Sequence, residues 1–345
     1  MARARHDAIL DHDMIVDLEQ RIYTVFGSVH PPGRIYAYLK YIPQEYLEAG
    51  GKSIWIYRNI PLKRVVERYS INHVRRVFER YQEKAYEITY GAEIPYVSRD
   101  RVYKVLNPEE RAYEIYLRPR DSLEFKVAEF IDLIKSYVGV PLDSIGVGGS
   151  ILGGFHNTAY SDIDLLIYGC DNIRGILENI ESILKPLENE DLLNWISNQT
   201  TLHGIDLDLA KMMYRIYRRG VYKDKHVSIV FPQDYCAYPC RYTSKTIKCV
   251  EVEGFVEPEQ CGAIQYPGEA LIKLRGSYRS DIEDEGGEVK IMIYEGSFSP
   301  ILYEGGFVKV RGSLQKVYDF RAGEEYYTIS LGTRECRSLV APLDR

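Results

Sequence analysis

At the centre of this chain stands Ser161-Asp162-Ile163-Asp164-Leu165-Leu166-Ile167, a stretch that predicts a β-strand. Side chains alternate between the two faces of a strand, so Asp162 and Asp164 share one face while Ile163 and the following apolar residues anchor the strand in a core. Two carboxylates this close repel each other unless a cation neutralises them. Because Mg²⁺ binds carboxylate and phosphate oxygens, the stretch predicts a metal site.

Upstream lies Gly148-Gly149-Ser150, which follows the short apolar run Ile145-Gly146-Val147. Backbone N–H groups and a hydroxyl at a predicted helix N-terminus suit a phosphate group. The residues numbered 151–161 separate this turn from Asp162, which leaves room for one short helix and a turn back to the sheet. We therefore expect Gly149 and Ser150 to contact a phosphate.

The pattern Gly149-Ser150, about ten residues, then Asp162-Ile163-Asp164-Leu165 resembles the signature of the DNA polymerase β-like nucleotidyltransferases, and every position of it matches. This resemblance covers roughly residues 120–230. The surrounding sequence, including Ser28-Val29-His30-Pro31-Pro32, also looks like a group of archaeal predicted nucleotidyltransferases of unassigned substrate.

The resemblance implies phosphoryl transfer assisted by two Mg²⁺ or Mn²⁺ ions. Asp162 and Asp164 would hold the ions, and Gly149 and Ser150 would bind the phosphates of a nucleoside triphosphate such as ATP. An acceptor hydroxyl would attack the α-phosphate, and pyrophosphate would leave. The alternative is a surface strand with two solvated aspartates after an unrelated glycine turn.

The family also needs a third carboxylate on a neighbouring strand. The stretch Gly204-Ile205-Asp206-Leu207-Asp208-Leu209-Ala210 alternates like such a strand, and we assign Asp208 as the third catalytic and metal-binding carboxylate, with Asp206 as the alternative. The same stretch also fits the start of a helix with Asp206 as its N-cap. In that case the neighbouring strand is 226–231, which offers no acid.

A basic run, 215–226, lies near these motifs and is interleaved with tyrosines. It would steer a triphosphate or a nucleic-acid strand, and Lys211 and Arg215 are assigned to nucleotide binding. The alternative is a solvated helix face.

The order of predicted elements gives an α+β fold in three regions. Residues 1–120 form an N-terminal α+β region, with a hairpin or meander followed by helical spacing from Pro61 to Ile88. Residues 121–232 form the polymerase β-like nucleotidyltransferase core, a small mixed sheet with helices. Residues 245–345 alternate as short strands and predict a small β-barrel, which suits the oligonucleotide-binding type.

Composition limits the partners. The net charge of −6 excludes a protein that is basic over its whole surface, so nucleic acid would have to bind through a local patch such as the C-terminal barrel. No apolar stretch is long enough to span a membrane, and no apolar run follows the basic residues near the start, so neither a signal peptide nor a membrane span is expected and a cytoplasmic location is predicted. The 30 tyrosines are interpreted as compositional bias, with a base-stacking surface as the alternative.

Six cysteines include four within a short stretch, Cys236, Cys240, Cys249 and Cys261. Their spacing lacks the two close pairs of a structural zinc site. Buried or idle thiols are expected, with a disulfide (Cys236–Cys240 or another pair) and a zinc site as the alternatives.

These observations predict an enzyme, a metal-dependent nucleotidyltransferase that moves a nucleoside monophosphate from an NTP to a hydroxyl acceptor. The acceptor would be an RNA or DNA end, a protein side chain or a small molecule. The alternative is a nucleotide- or nucleic-acid-binding protein whose transferase domain has lost activity, which a missing third carboxylate would favour. The sequence predicts neither the base preference nor the oligomeric state.

Overall fold

The computed structural model of the protein describes residues 8–47, 55–66, 71–233, 241–275 and 287–343. Three sheets follow one another along the chain, and most of the helices surround the middle one. The expected α+β class is confirmed, and so is a closed five-stranded barrel in the C-terminal region.

The N-terminal region is one antiparallel sheet with a helix against it. Its elements are β1 (Met14–Asp17), β2 (Ile22–Val25), β3 (Arg34–Pro43), β4 (Trp55–Tyr57), β5 (Ile60–Arg64), α1 (Ile71–Tyr81), β6 (Lys84–Glu87), β7 (Ala92–Ser98) and β8 (Val102–Leu106). The strand order is β4-β5-β3-β2-β1-β8, and β7 pairs with both β3 and β6.

The helical spacing predicted from Pro61 to Ile88 is wrong at both ends. Pro61 lies in β5, and of the described residues in this stretch Ile71–Tyr81 are helical. The reason is the two-residue turn before β5, where Arg58 and Asn59 both have positive φ, 48° and 67°. Such a turn matches the twist of a hairpin, so this segment pairs with β4 instead of starting a helix.

The central region is a five-stranded mixed sheet covered by helices. Its elements are α2 (Pro108–Leu117), α3 (Ser122–Leu133), β9 (Ile145–Val147), α4 (Gly149–Gly153), β10 (Ile163–Ile167), α5 (Cys170–Glu178), α6 (Ile180–Ile183), β11 (Lys185–Pro186), α7 (Asn189–His203), α8 (Leu207–Met212), β12 (Gly220–Tyr222) and β13 (Lys225–Val230). The order is β11-β12-β13-β10-β9, and β10 and β13 form its parallel pair.

Side-chain caps set the starts of α2 and α3. Asn107 accepts hydrogen bonds from the backbone at the start of α2, and Asp121 does so at the start of α3. Each cap satisfies backbone N–H groups that the first helical turn leaves without a partner. Ala112 and Ile115 of α2 are fully buried in the central core, so α2 packs with the helices that follow it.

The C-terminal region is a barrel. Its elements are β14 (Tyr242–Val256), α9 (Cys261–Ile264), β15 (Gly268–Leu274), β16 (Glu288–Ile293), α10 (Ser299–Glu304), β17 (Gly306–Asp319), β18 (Glu324–Leu331) and β19 (Leu339–Pro342). The order β14-β15-β16-β18-β17 closes because β14 pairs with β17 over its whole length. The barrel encloses its own apolar core, and β19 adds to β17.

Two disulfide bonds tie distant parts of the chain together. Cys170 bonds to Cys261, and Cys249 bonds to Cys336, with Cα atoms 5.8 and 5.3 Å apart. The expectation of idle thiols is therefore wrong for these four, because the fold brings together cysteines 91 and 87 residues apart. Since Cys249 and Cys261 bond to different partners, they offer no thiolates to a shared metal. The other two of the predicted cluster, Cys236 and Cys240, lie outside the described residues.

Among the described residues, the helices are all too short or too polar to cross a bilayer.

Candidate active site

The two predicted metal ligands lie where β10 begins. Asp162 directly precedes the strand and Asp164 is its second residue, and both side chains are partly exposed. Ile163 and Leu165 are fully buried in the central core. The alternation predicted from the sequence is therefore present, with both carboxylates on the face that leaves the core.

Gly149 lies directly against Asp164. Its φ is +60°, and a Cβ built on it would lie 2.1 Å from Oδ2 of Asp164. The backbone N–H of Gly148 donates to the carbonyl oxygen of Asp164 at 2.8 Å. The glycine turn and the second carboxylate are thus in contact, and only glycine at position 149 leaves room for that carboxylate.

The helix α4 that follows this turn is held from two sides. Ile151 packs into the central core, whereas Leu152 and, just after the helix, Phe155 pack against the N-terminal sheet. The ring of Phe155 lies 4.9 Å from that of Tyr41, between ring centroids. The N-terminal region therefore supports the glycine turn from behind.

Hydrogen bonds fix the loop that leads from α4 to Asp162. The hydroxyl of Ser150 lies 3.1 Å from that of Ser161, which also accepts the N–H of Asn157 at 2.9 Å. From β13, the buried Lys225 donates to the carbonyl oxygens of residues 158 and 159 at 2.6 and 3.1 Å. The hydroxyl of Ser150 thus bonds to the residue next to Asp162. Together these hydrogen bonds fix the loop that positions Asp162.

A chain of polar contacts runs from Asp162 across β13. The Nη2 of Arg219 donates to Oδ2 of Asp162 at 2.9 Å and to Nδ1 of His226 at 3.1 Å. Beyond it, Nε2 of His226 lies 3.5 Å from Oδ2 of Asp191 on α7. These four side chains are all partly exposed, so the group faces solvent.

The predicted third carboxylate does not lie on the neighbouring strand. The stretch 204–210 adopts the helical alternative instead of a strand. Helix α8 begins at Leu207, and Oδ1 of Asp206 caps it by accepting the N–H of Leu209 at 2.8 Å. Asp208 is on α8, with 84% of its side chain exposed and an ion pair to Lys211 at 3.1 Å. The parallel neighbour of β10 is β13, which places Ser228 opposite Asp164.

The basic run contributes one cation to Asp162. Arg215, predicted to bind nucleotide, bonds instead to Glu304 on α10, and the predicted Lys211 bonds to Asp208. Lys223 bonds to Glu129 at 2.6 Å. The tyrosines of the run are structural, because Tyr222 stacks on Phe130 and Tyr217 packs on Phe231. Arg219 is therefore the member of this run that reaches the carboxylates.

A second cluster has the composition of a metal site. In the part of the chain that the structure describes, one group of three potential ligands lies within 4.8 Å of one another: Asp121, Glu124 and His156. Its members already have partners. Asp121 caps α3 and bonds to Nε2 of His156 at 2.8 Å, while Glu124 pairs with the buried Arg111.

The pKa of Asp121 indicates a structural role for this cluster. Partial burial opposes ionisation, but the N–H of Glu124 and the imidazole of His156 outweigh it and lower the pKa of the carboxyl below its usual value. An ionised cap that holds a helix end and a loop together is a structural element. This cluster fixes the loop that leads to Asp162.

Four functional candidates were missed by the sequence interpretation. Arg219, Lys225 and His226 belong to the basic run, so composition pointed at them without distinguishing them from their neighbours. Asp191 gave no signal, because only the packing of α7 beside β13 brings it to His226.

The chain is 24% identical over 345 aligned residues to an uncharacterised protein of the archaeon Methanocaldococcus jannaschii. The alignment covers 93% of this chain and 94% of that protein, so the similarity extends over all three regions. No family model matches the chain, and no solved structure matches it.

Proposed function

We propose that this protein is a metal-dependent nucleotidyltransferase that moves a nucleoside monophosphate from an NTP to a hydroxyl acceptor. The observation that carries the proposal is the contact between the glycine turn and the paired carboxylates. Gly149 leaves space for Asp164, Ser150 is bonded beside Asp162, and both carboxylates leave the core on one face. The small mixed sheet around them supports a polymerase β-like core.

The residues fit a divalent cation. A guanidinium nitrogen already lies 2.9 Å from Asp162, which shows that this position accommodates positive charge. Carboxylate oxygens are the ligands that Mg²⁺ and Mn²⁺ prefer, and Asp162 and Asp164 would hold the metal. When bound, the metal supplies charge neutralisation for the phosphates.

The chain's own residues provide binding and orientation. Backbone N–H groups of Gly149 and Ser150 would bind phosphate oxygens of the NTP, and Arg219 would contribute a mobile positive charge beside them. In the reaction, the acceptor oxygen forms a bond to the α-phosphorus while the bond between the α- and β-phosphates breaks. The acceptor proton passes to solvent, and pyrophosphate leaves.

The C-terminal barrel supports a nucleic-acid acceptor by topology. Its five strands close in the order β14-β15-β16-β18-β17, with β16 and β18 parallel, and a small five-stranded barrel is compatible with the oligonucleotide-binding type. Several of its basic side chains are paired with acids and are not available to a polyanion, such as Lys316 with Glu325 at 2.7 Å and Arg241 with Asp319 at 2.7 Å. RNA, single-stranded DNA and the protein itself are therefore all to be tested as acceptors.

The test is transfer of label from each α-³²P-labelled NTP, with Mg²⁺ or Mn²⁺, to total RNA, single-stranded DNA or the protein. We expect transfer by the wild type and none by Asp162→Asn/Asp164→Asn, while Asp171→Asn, a fully exposed aspartate on α5, keeps full activity. Asp208→Asn tests the third carboxylate, because loss of transfer would place Asp208 in the site despite its helix.

A second candidate is a nucleotide-binding protein without transferase activity. One observation favours it, namely that β13 carries no carboxylate. Binding of labelled NTP without transfer to any acceptor would support this alternative over the enzyme.

A further inference from the structure

One nitrogen atom lies between Asp162 and His226. The Nη2 of Arg219 donates one hydrogen to Oδ2 of Asp162 and the other to Nδ1 of His226. Because an arginine only donates, this contact needs the lone pair on Nδ1, which places the imidazole proton on Nε2. A carboxylate oxygen and an imidazole lone pair therefore both point at a single cationic atom.

Asp191 lies on the other side of the imidazole. Its Oδ2 is 3.5 Å from Nε2 of His226, the ring nitrogen that carries the proton. Histidines that bind metals almost always donate their second N–H to a carboxylate or a carbonyl, which fixes the ring and its tautomer. Asp191 is placed to accept this N–H from His226, although 3.5 Å is longer than a normal hydrogen bond.

The strand register places His226 beside the carboxylates. β10 and β13 are parallel, with Ile163 opposite Val227 and Asp164 opposite Ser228. Continued by one residue, this register sets Asp162 beside His226, and Asp164 and its partner Ser228 are both partly exposed. His226 thus occupies the strand from which a third ligand is expected.

We propose that His226 is the third metal ligand, together with Asp162 and Asp164, and that Arg219 occupies the position of the metal until the metal displaces it. The ligand atoms of these three side chains do not all lie within 4.8 Å of one another while Arg219 bonds to Asp162 and His226, so they close around the metal when it binds. This inference rests on the proposed function for the two aspartates and adds a histidine in place of the third carboxylate. Imidazole nitrogen suits Mn²⁺ and other transition metals better than Mg²⁺, which prefers oxygen. The site therefore selects Mn²⁺ over Mg²⁺.

The arrangement predicts opposite effects for two neighbouring side chains. Removing the imidazole deletes a ligand and weakens metal binding. Removing the guanidinium deletes a competitor for Asp162 and His226 and strengthens metal binding. A purely structural role for these residues would weaken metal binding in both variants. Stronger metal binding on removal of the Arg219 guanidinium therefore distinguishes a metal site from a structural role.

The test is titration of the full-length protein with Mn²⁺, followed by the electron paramagnetic resonance signal of free Mn²⁺, with Mg²⁺ as competitor and without nucleotide. We expect His226→Ala to weaken Mn²⁺ binding about tenfold or more and Arg219→Gln to tighten it severalfold. His226→Asp should recover metal binding and shift the preference toward Mg²⁺. Arg174→Gln, an exposed arginine on α5, is the matched control and should bind as the wild type does.

Two results would overturn the inference. If His226→Ala and Arg219→Gln both bind Mn²⁺ as the wild type does while Asp162→Asn does not, the aspartates bind metal without the histidine and the proposed function still stands. If neither the wild type nor Arg219→Gln binds Mn²⁺, the metal site itself is wrong. Circular dichroism of each variant confirms that it is folded.

Discussion

Gly149 combines a left-handed backbone with a close approach to Asp164. Its φ of +60° costs any other residue about 1 kcal/mol, and a Cβ would displace the carboxylate besides. We expect Gly149→Ala to lower the free energy of unfolding by about 1–3 kcal/mol and to abolish Mn²⁺ binding. Urea unfolding and the Mn²⁺ titration measure the two effects separately.

Gly154 provides the control for this prediction. It has a similar φ of +68° but nothing within 4 Å of a built Cβ. Gly154→Ala should therefore show the backbone cost and keep the metal site. Equal metal binding by the two alanine variants would contradict the contact between Gly149 and Asp164.

His30 is expected to make stability depend on pH. Its Nδ1 accepts the N–H of Tyr36 at 3.2 Å, a bond that needs the neutral ring, whereas its Nε2 donates to the carbonyl of Ile9 at 3.1 Å in either form. Burial lowers the pKa of His30 from 6.5 to about 4. Because the unfolded chain binds the proton first, the stability from this residue is complete above about pH 6.5 and is lost as the pH falls toward 4.

We expect the free energy of unfolding to fall by up to about 1 kcal/mol per pH unit in this range on account of His30. His30→Asn keeps an acceptor for Tyr36 but does not ionise, so its unfolding energy should change less between pH 7 and pH 5. Urea unfolding at several pH values tests this. Identical pH dependence of the two proteins would show that His30 is not the titrating group.

At the scale of elements, β13 connects the loop before Asp162 to the sheet. Lys225 is buried, and its ammonium bonds to two loop carbonyls. We expect Lys225→Met to lower the free energy of unfolding by about 1–3 kcal/mol, because these carbonyls lose a charged donor. Lys223→Met is the control, since Lys223 pairs with Glu129 at the surface and its loss should cost less than about 1 kcal/mol.

Chemical denaturation measures the free energy of unfolding of both variants. Mn²⁺ binding, measured without nucleotide, shows whether the loop still presents Asp162. If the two lysine variants were equally stable, the bonds from Lys225 would not hold the loop.

The same element shows where sequence interpretation fails. Alternation of apolar and charged residues correctly predicted the start of β10, because Ile163 and Leu165 are buried while Asp162 and Asp164 are partly exposed. The stretch 204–210 alternates too, yet it forms a helix, since Asp206 caps it and Leu209 packs toward the barrel. A short alternating stretch is compatible with either a strand or a helix, and the residues that pack against it decide which one forms.

At the scale of the molecule, the disulfide Cys170–Cys261 joins the central region to the barrel. It closes a loop of 91 residues, which restricts the unfolded chain. We expect Cys170→Ser/Cys261→Ser to lower the free energy of unfolding by about 2–4 kcal/mol in urea. Cys249→Ser/Cys336→Ser, which removes the bond within the C-terminal region, should leave the attachment of the barrel to the central region unchanged.

Thiol titration of the unfolded, unreduced protein tests the bonds directly. Reactivity of all six cysteines would contradict both pairings.

The regions are also joined by tyrosines. Between the N-terminal sheet and the barrel, the ring of Tyr90 contacts the rings of Tyr36 and Tyr294, with centroids 5.7 Å apart in both pairs. Burial raises the pKa of Tyr90 and of Tyr294. These tyrosines pack between regions and do not form an exposed surface for stacking bases.

The sequence by itself determined the local features. The strand at Asp162 and Asp164, the glycine turn, the capped helix after Asp121 and the alternating strands of the barrel all follow from interactions between residues close in the chain. Only the tertiary structure decided which distant residues meet. The placement of Arg219 and His226 beside Asp162, of Asp191 behind them, and of Cys170 against Cys261 depends on strand order and helix packing, which no local pattern encodes.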